Sequence, residues 1–213
     1  MNAIAVPYAI AVEPQVRRWT REEFHRMADI GFFQGQRAEL LEGEVMVLSP
    51  QNPGHYTATH RLAELLHAAF GSAYYVRMQG PIELGPHSEP EPDVAVVPGS
   101  RDQYASQHPK SAALIVEISD SSLAWDRGRK ASLYARAGIA DYWIVNLVDR
   151  RLEVRRSPVA DANADLRPRL RIADRVGATG EGQPVGSAAG ELRRGRFDSV
   201  EPRLSQLDRP RPL

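Results

Sequence analysis

Residues 113 to 120 read ALIVEISD, and a glutamate stands inside an otherwise apolar strand. The run from Ala113 to Val116, continued by Ile118, is typical of a strand buried on both faces, which requires a sheet covered on each side. A glutamate is rarely fully buried without a partner, because an isolated carboxylate is costly in a medium of low dielectric constant. Either the strand ends at Glu117, or Glu117 has a partner elsewhere in the chain.

The composition allows a sizeable core and argues against several classes of protein. The 213 residues fit one domain, with 42% hydrophobic and 25% charged residues. There is no cysteine, which excludes disulfides, thiolate nucleophiles and cysteine-ligated zinc and suits a reducing, cytoplasmic location. The net charge is zero, so a nucleic-acid partner would need a local basic groove. No stretch approaches the roughly 18 apolar residues of a membrane span.

The order of patterned segments predicts an α/β (α+β) fold, a mixed β-sheet flanked by helices with an N-terminal helix and hairpin. Thr20 and Glu23 form a capping-box pattern at the start of the first helix. The segment from 112 to 146 is predicted to be a strand–helix–strand crossover unit, with its helix from about Asp126 to Arg136. The other predicted elements are a strand pair within 38–50, a helix over 55–70, strands over 74–79, 81–84 and 91–99, and a strand pair over 141–146 and 151–156.

The chain is predicted to have three parts. Residues 1–18 are a loose arm, 19–156 form the folded domain, and 157–213 are a polar, less regular extension that is partly ordered. The glycine-rich stretch over 177–186 is not interpreted as a phosphate loop, because no strand precedes it and no Gly-Lys-Ser/Thr follows.

Two acidic residues and one lysine share a region of the predicted sheet. Asp93 follows Pro92 at the start of one strand, and Glu117 lies near the end of the next strong strand. Two carboxylates at neighbouring strand ends form a hard oxygen site suited to Mg²⁺. Lys130 is one of only two lysines, with Lys110, among 27 basic residues, and a mechanistic ammonium is not interchangeable with a guanidinium. The ammonium would orient water or offset charge on a phosphoryl oxygen.

Other polar residues have a structural interpretation. Asp126 and Lys130, four residues apart, match a favourable helix-surface ion pair. His60 and His67 share a helix face with His55 nearby, but a zinc site needs more convergent ligands. Tyr142 and Trp143 open a strand and are expected to pack in the core.

Across residues 20 to 155 the sequence resembles the Uma-type restriction endonucleases of the PD-(D/E)xK nuclease superfamily. The resemblance is carried by TREEFHRM, AELLEGEVMVLSP, GHYTATHRLAELL, EPDVAVV, LIVEIS, LEVRR and, most specifically, DRGRKASLYARAGIADYWIVN. It implies a restriction-endonuclease-like fold with its active site at one sheet edge, a DNA substrate, Mg²⁺ or Mn²⁺ as cofactor, and a homodimer.

The resemblance also assigns roles to residues. It implies that Asp93 and Glu117 are metal ligands, and it adds Glu39 as a further acid near the metal. An orthodox (D/E)xK motif would place lysine at position 119, where this chain has Ser119, so the lysine that has moved to the next helix is Lys130. Asp120 stands where relatives commonly have proline and adds negative charge near the site.

The sequence leaves two classes of function open. The first is a metal-dependent endonuclease that hydrolyses phosphodiester bonds in DNA. The alternative is a catalytically inactive module with a nuclease fold that binds nucleic acid or a protein partner, for which the displaced lysine is the main argument. A third, weaker alternative is a dimeric scaffold whose carboxylates are structural.

Overall fold

The structure is a computed structural model, and it describes residues 15–159 and 169–172. Most of the predicted N-terminal arm, the glycine-rich stretch over 177–186 and most of the C-terminal extension lie outside these residues. No helix among the described residues is long and apolar enough to cross a membrane.

The described chain forms eight strands and four α-helices. A capping box between Thr20 and Glu23 starts the first helix, as the sequence predicts. A π-helical turn, Asp126–Lys130, joins the last two helices. In chain order the elements are α1 (Arg21–Asp29), β1 (Arg37–Leu41), β2 (Glu44–Leu48), α2 (Pro53–Phe70), β3 (Tyr74–Met78), β4 (Val94–Pro98), β5 (Leu114–Ser119), α3 (Leu123–Trp125), α4 (Ala131–Arg136), β6 (Asp141–Asn146), β7 (Arg151–Val159) and β8 (Arg169–Ile172).

Strands β3 to β8 form a six-stranded sheet in chain order, and β1 pairs with β2 in a separate antiparallel hairpin. The only parallel pair in the six-stranded sheet is β5 with β6. The chain between these two strands passes through α3, the π-helical turn and α4. The strand–helix–strand crossover predicted for residues 112 to 146 is therefore confirmed.

All six residues of β5 are buried, because both faces of the sheet are covered. Leu114, Val116 and Ile118 pack in a cluster with α2 on one face. Ile115 packs in a second cluster with Ala131 and other apolar residues of the opposite face. Since side chains alternate along a strand, Glu117 points to the same face as Ile115. The strand therefore continues past Glu117, and the carboxylate lies inside the protein.

Two predicted elements differ from the structure. Residues 81–84 are not a strand. Pro81 has no N–H to contribute to a ladder, and Ile82 and Leu84 donate instead to the carbonyls of Pro90 and Ser88 within one loop. The helix predicted from Asp126 begins at Leu123 and contains the π-helical turn. The predicted division into three parts stays a prediction, although β7 and β8 include residues beyond 156.

Candidate active site

Asp93 and Glu117 lie at the point where the ladder between β4 and β5 ends. The last antiparallel pair is Val94 with Val116, so the next pair in that register would be Asp93 and Glu117. Instead of continuing the ladder, the Asp93 side chain accepts a hydrogen bond at Oδ2 from the amide of Ile118, at 2.8 Å. Sequence order and strand pairing therefore bring the two predicted metal ligands together at the adjoining ends of β4 and β5, two interior strands of the sheet.

Glu117 is 3% exposed and has two partners on the following helical segment. Its Oε1 accepts hydrogen bonds from Lys130 Nζ at 3.0 Å and from the Tyr134 hydroxyl at 2.8 Å. The two donors are four residues apart and so lie on one side of the helical segment. The partner that burial requires for Glu117 is therefore the predicted lysine, supported by a tyrosine.

Glu39 reaches the same lysine from the β1–β2 hairpin. It is 1% exposed, its Oε2 accepts from the amide of Glu91 at 3.0 Å, and its Oε1 lies 3.5 Å from Lys130 Nζ. That Oε1 atom is buried and makes no hydrogen bond with the described residues. In contrast, Glu42 and Glu44 form ion pairs with arginines nearer the surface. Among the three acids of the hairpin, only Glu39 therefore belongs to the buried cluster of charged residues around Lys130, which also contains Glu117 and Asp93.

Asp93 is held by residues at the start of α2 as well as by β5. His55 Nε2 lies 3.1 Å from Asp93 Oδ2, and Gln51 Nε2 donates to Oδ1 at 3.5 Å. Burial alone would lower the pKa of His55, but the hydrogen bond and the charge of Asp93, with the charge of Asp120, raise it. Asp93 therefore favours the protonated form of His55, which forms an ion pair with the Asp93 carboxylate.

The π-helical turn places Lys130 and fixes Asp126 at its other end. Asp126 is 2% exposed, and its Oδ2 accepts from the hydroxyls of Ser119 and Ser122, each at 2.6 Å. The buried Tyr142 hydroxyl donates to the main-chain carbonyl of Asp126 at 3.0 Å. The predicted surface pair between Asp126 and Lys130 is therefore wrong, because both side chains are buried and make other bonds. Such π-helical turns are rare and occur often at functional sites.

The cluster contains more carboxylates than cations. Burial raises the pKa of Glu117 well above its usual range, with Lys130 opposing the shift and the neighbouring acids, including Asp93, adding to it. Burial likewise raises the pKa of Asp126. Burial alone would lower the pKa of Lys130, but the charges of Glu117, Glu39 and Asp126 raise it, so the ammonium stays protonated. A cation bound beside the carboxylates of Asp93, Glu117, Glu39 and Asp126 would relieve their mutual repulsion.

The residues of the cluster fit a divalent metal ion in their chemistry. Among the described residues, no group of three or more histidine and acidic side chains is arranged to hold a metal ion. Mg²⁺ needs only one or two protein carboxylates, since it keeps several waters. Asp93 and Glu117 supply two carboxylates, and Glu39 adds a buried oxygen that has no hydrogen bond with any residue that the structure describes. This donor set, entirely oxygen, suits Mg²⁺ or Mn²⁺.

Sequence reasoning missed several residues that the structure brings to the site. His55 could not be distinguished from His60 and His67 on the same helix, because its contact with Asp93 depends on how α2 docks. Tyr134 had a signal, since it lies one helical turn after Lys130. The expected core positions of Tyr142 and Trp143 are confirmed, as both are fully buried.

Ser119 occupies the position of the orthodox lysine and is expected to stabilise the π-helical turn. Ser119→Ala removes one of two hydroxyl donors to the buried Asp126 carboxylate, which should lower the free energy of unfolding by about 1–3 kcal/mol. Urea denaturation at pH 7 measures this difference. The matched control is Ser106→Ala at an exposed position, expected within about 0.5 kcal/mol of wild type. Equal stability of the two variants would contradict the role of Ser119.

Comparison with known proteins gives one family and one solved structure. A family model described as "Uma2: Putative restriction endonuclease" matches residues 21–174. The structure resembles that of "a putative nuclease belonging to DUF820" from Anabaena variabilis ATCC 29413, with a TM-score of 0.50 and 16% sequence identity over 76% of this chain and 90% of the other. No curated protein matches the sequence. At this identity the solved structure supports the fold alone, and the predicted nuclease-like mixed α/β fold is confirmed.

Proposed function

The chain belongs to the family described as "Uma2: Putative restriction endonuclease", and we propose that it is a metal-dependent endonuclease that hydrolyses phosphodiester bonds in DNA. One observation carries the proposal. Asp93 immediately precedes β4, and Glu117 lies on the adjacent strand β5. Both are buried where the ladder between these strands ends, and Glu117 is hydrogen-bonded to Lys130. Magnesium or manganese, the DNA substrate and a homodimer are parts of the proposal that rest on the family resemblance, and the cytoplasmic location rests on the absence of cysteine.

The residues of the chain have distinct roles in this proposal. Asp93 and Glu117 would hold the ion, with Glu39 as a further acid. The chemistry that a bound divalent cation supplies is polarisation of a phosphate oxygen and acidification of water. Lys130 keeps its proton and donates hydrogen bonds to the attacking water or to the negative charge that develops on the phosphoryl oxygens. His55 contacts the Asp93 carboxylate and acts as a positioning residue that orients it.

A second candidate function is favoured by the internal pairing of the site. Lys130 is 6% exposed and bonded to Glu117, and Asp93 is bonded to β5 and α2. Side chains paired in this way stabilise the fold without any reaction. The candidate is a nuclease-fold module that binds nucleic acid or a protein without cutting, and it predicts DNA binding that persists in EDTA with no cleavage at any metal concentration.

The test is a cleavage assay on duplex, branched and single-stranded DNA with Mg²⁺, with Mn²⁺ and with EDTA. The nuclease is supported if phosphodiester bonds break with either metal and remain intact in EDTA. If DNA of all three kinds stays intact at high protein concentration, the proposed nuclease activity is contradicted and the non-cutting binding module is favoured. Cleavage that persists in EDTA would contradict the metal dependence.

Metal binding is expected to stabilise the protein through the carboxylate pair. A ligand that binds only the native state at 100 times its Kd stabilises it by about 2.7 kcal/mol, which corresponds to a rise in Tm of about 5–10 °C for a protein of this size. Differential scanning fluorimetry with Mn²⁺ should show this rise in wild type and its loss in Asp93→Asn. The matched control is Asp29→Asn, at an exposed position on α1, which should keep the wild-type rise. An equal rise in both variants would contradict the assignment of Asp93.

A further inference from the structure

A cleft of about 430 Å³, separate from the candidate active site, lies beside β3 at the edge of the six-stranded sheet. Two tyrosines and two arginines dominate its lining. These are Tyr75 and Arg77 of β3, and Arg101 and Tyr104 of the following 3-10 turn. Asp102 is the acidic residue of the lining. No sequence pattern indicates this cleft, because its two halves come from segments about 25 residues apart that the pairing of β3 with β4 brings together.

The two tyrosine rings are placed for stacking. Tyr75 and Tyr104 are within 24° of parallel, with ring centroids 6.5 Å apart. This separation lies in the range of an ordinary offset aromatic pair, so a planar ring would stack on the solvent-exposed side of the pair. Both tyrosines are partly exposed. A nucleobase can therefore reach aromatic faces on which any of the four bases stacks.

The two arginines lie over these rings. The guanidinium carbon of Arg101 is 5.6 Å from the centroid of Tyr75, and that of Arg77 is 6.0 Å from the centroid of Tyr104. Arg101 Nε donates to the Tyr75 hydroxyl at 3.3 Å, and Arg77 Nη2 donates to the Pro81 carbonyl at 3.4 Å. A guanidinium has five N–H donors, so each group keeps others that can bind a phosphate.

The charge of the cleft suits a nucleotide within a strand. Arg77 and Arg101 against Asp102 give one net positive charge in a chain whose net charge is zero. A phosphodiester carries one negative charge per nucleotide. Asp102 is exposed and can accept a hydrogen bond from the amino group of a base. The lining therefore offers a partner for each part of a nucleotide.

The cleft is joined to the candidate active site through β3. Tyr75 packs with the apolar cluster on the Glu117 face of the sheet, whereas its neighbours on β3 pack on the other face. Tyr75 pairs with Val97, four residues from Asp93 along the chain, or about 14 Å of strand. Just beyond β3, the amide of Gln79 donates to the Asp93 carbonyl at 3.1 Å. The length of about 14 Å between Val97 and Asp93 corresponds to a few nucleotides of one DNA strand.

We propose that this cleft binds one unpaired nucleobase and its phosphate, so that the nucleic acid recognised by this protein contains single-stranded or unstacked nucleotides. The proposal extends the proposed nuclease function, on which it rests for its biological purpose. The stacking itself can be measured without cleavage.

The experiment measures binding of a fluorescein-labelled 12-nucleotide single strand by anisotropy in EDTA, where metal-dependent cleavage cannot contribute. Wild type should bind the single strand more tightly than the blunt duplex of the same sequence. Tyr104→Leu removes one stacking face and should weaken binding at least about fivefold. Tyr104→Phe keeps the ring and should bind like wild type. Phe32→Leu, at an aromatic side chain exposed elsewhere, is the matched control and should leave binding unchanged.

Arg101→Ala is a second variant, which keeps the proposal testable if Tyr104→Leu does not fold. It removes a side chain that is exposed, should weaken binding, and should reduce the slope of log K against log salt by about 0.7. Folding of each variant is checked by circular dichroism and Tm. Wild-type affinity in both variants, or equal binding of duplex and single strand, would overturn the proposal.

The outcome for the cleft can be separated from that for the nuclease. If wild type cuts no DNA but its binding of the single strand depends on Tyr104, nucleotide binding by the cleft is supported and the proposed nuclease activity is contradicted. If wild type cuts DNA with Mg²⁺ and Tyr104→Leu binds the single strand normally, the nuclease activity is supported and nucleotide binding by the cleft is contradicted. Absence of any binding to the oligonucleotide also overturns the proposal.

Discussion

Glu117→Gln should abolish metal-dependent cleavage while leaving the fold intact. Glutamine has nearly the same shape, so it can still accept hydrogen bonds from Lys130 and Tyr134, but it has no charge with which to hold a cation. A catalytic metal ion supplies several kcal/mol of transition-state stabilisation, and each 1.36 kcal/mol is a factor of ten in rate. We therefore expect cleavage to fall at least about 100-fold, measured under single-turnover conditions with Mg²⁺.

The matched control for this substitution is Glu89→Gln. Glu89 is also a buried glutamate, 4% exposed, but its partners are His25 at 2.9 Å and Arg21 at 3.5 Å, away from Lys130. The control variant should lose some stability, because its arginine partner is left without this acceptor, and should keep the wild-type rate per folded molecule. Cleavage by Glu117→Gln at the rate of Glu89→Gln would show that Glu117 is not part of the catalytic site.

The same substitution should change the pH dependence of stability in EDTA. The pKa of Glu117 is raised in the folded state by burial and by neighbouring carboxylates, so between the unfolded pKa and the folded pKa the native protein holds a proton that the unfolded chain has lost. The free energy of unfolding of wild type therefore falls as pH rises through this range. Glu117→Gln lacks this contribution, so its stability relative to wild type should increase with pH above about 4.5. Parallel curves from urea titrations at pH 4.5, 6, 7.5 and 9 would contradict the raised pKa.

Much of the fold was predictable because its signals are local. The capping box at Thr20, the apolar run of β5 and the change from strand to helix period after it each depend on a few neighbouring residues. The loop over 81–84 was misassigned since its apolar residues alternate like a strand, whereas its hydrogen bonds are made within a loop. No local pattern reports such pairing.

The candidate site was predictable only in part, for the same reason. Asp93 and Glu117 could be connected because their strands are consecutive in the sheet, and Lys130 was indicated by the scarcity of lysine. The role of Asp126 could not be predicted, because a π-helical turn changes which side chains share a face of the helix. The hydroxyls of two serines, and not Lys130, are the hydrogen-bond partners of the Asp126 carboxylate. His55 depends on the docking of α2, which sequence pattern alone does not specify.

Lys130→Met should have the largest effect on stability. The side chain is 6% exposed and is the only lysine beside three buried acids, Glu117, Glu39 and Asp126. Removing one member of a buried ion pair leaves uncompensated charge, which typically costs about 3–5 kcal/mol. Methionine preserves most of the volume and the apolar stem, so the loss reports the charge. Lys110→Met, at the other lysine, which is exposed, is the matched control and should stay within about 0.5 kcal/mol of wild type.

The double variant Lys130→Met with Glu117→Gln separates charge from packing. If the cost of Lys130→Met is the unpaired Glu117 carboxylate, removing that carboxylate should restore a large part of the lost stability, and the two substitutions will not be additive. Cleavage should be lost in Lys130→Met and in the double variant alike, because stability is recovered without the ammonium that a nuclease requires. Additive losses of stability would show that Lys130 acts through packing. Wild-type cleavage by folded Lys130→Met would show that Lys130 takes no part in the reaction. Lys130 would then not replace the lysine that the orthodox motif has at position 119.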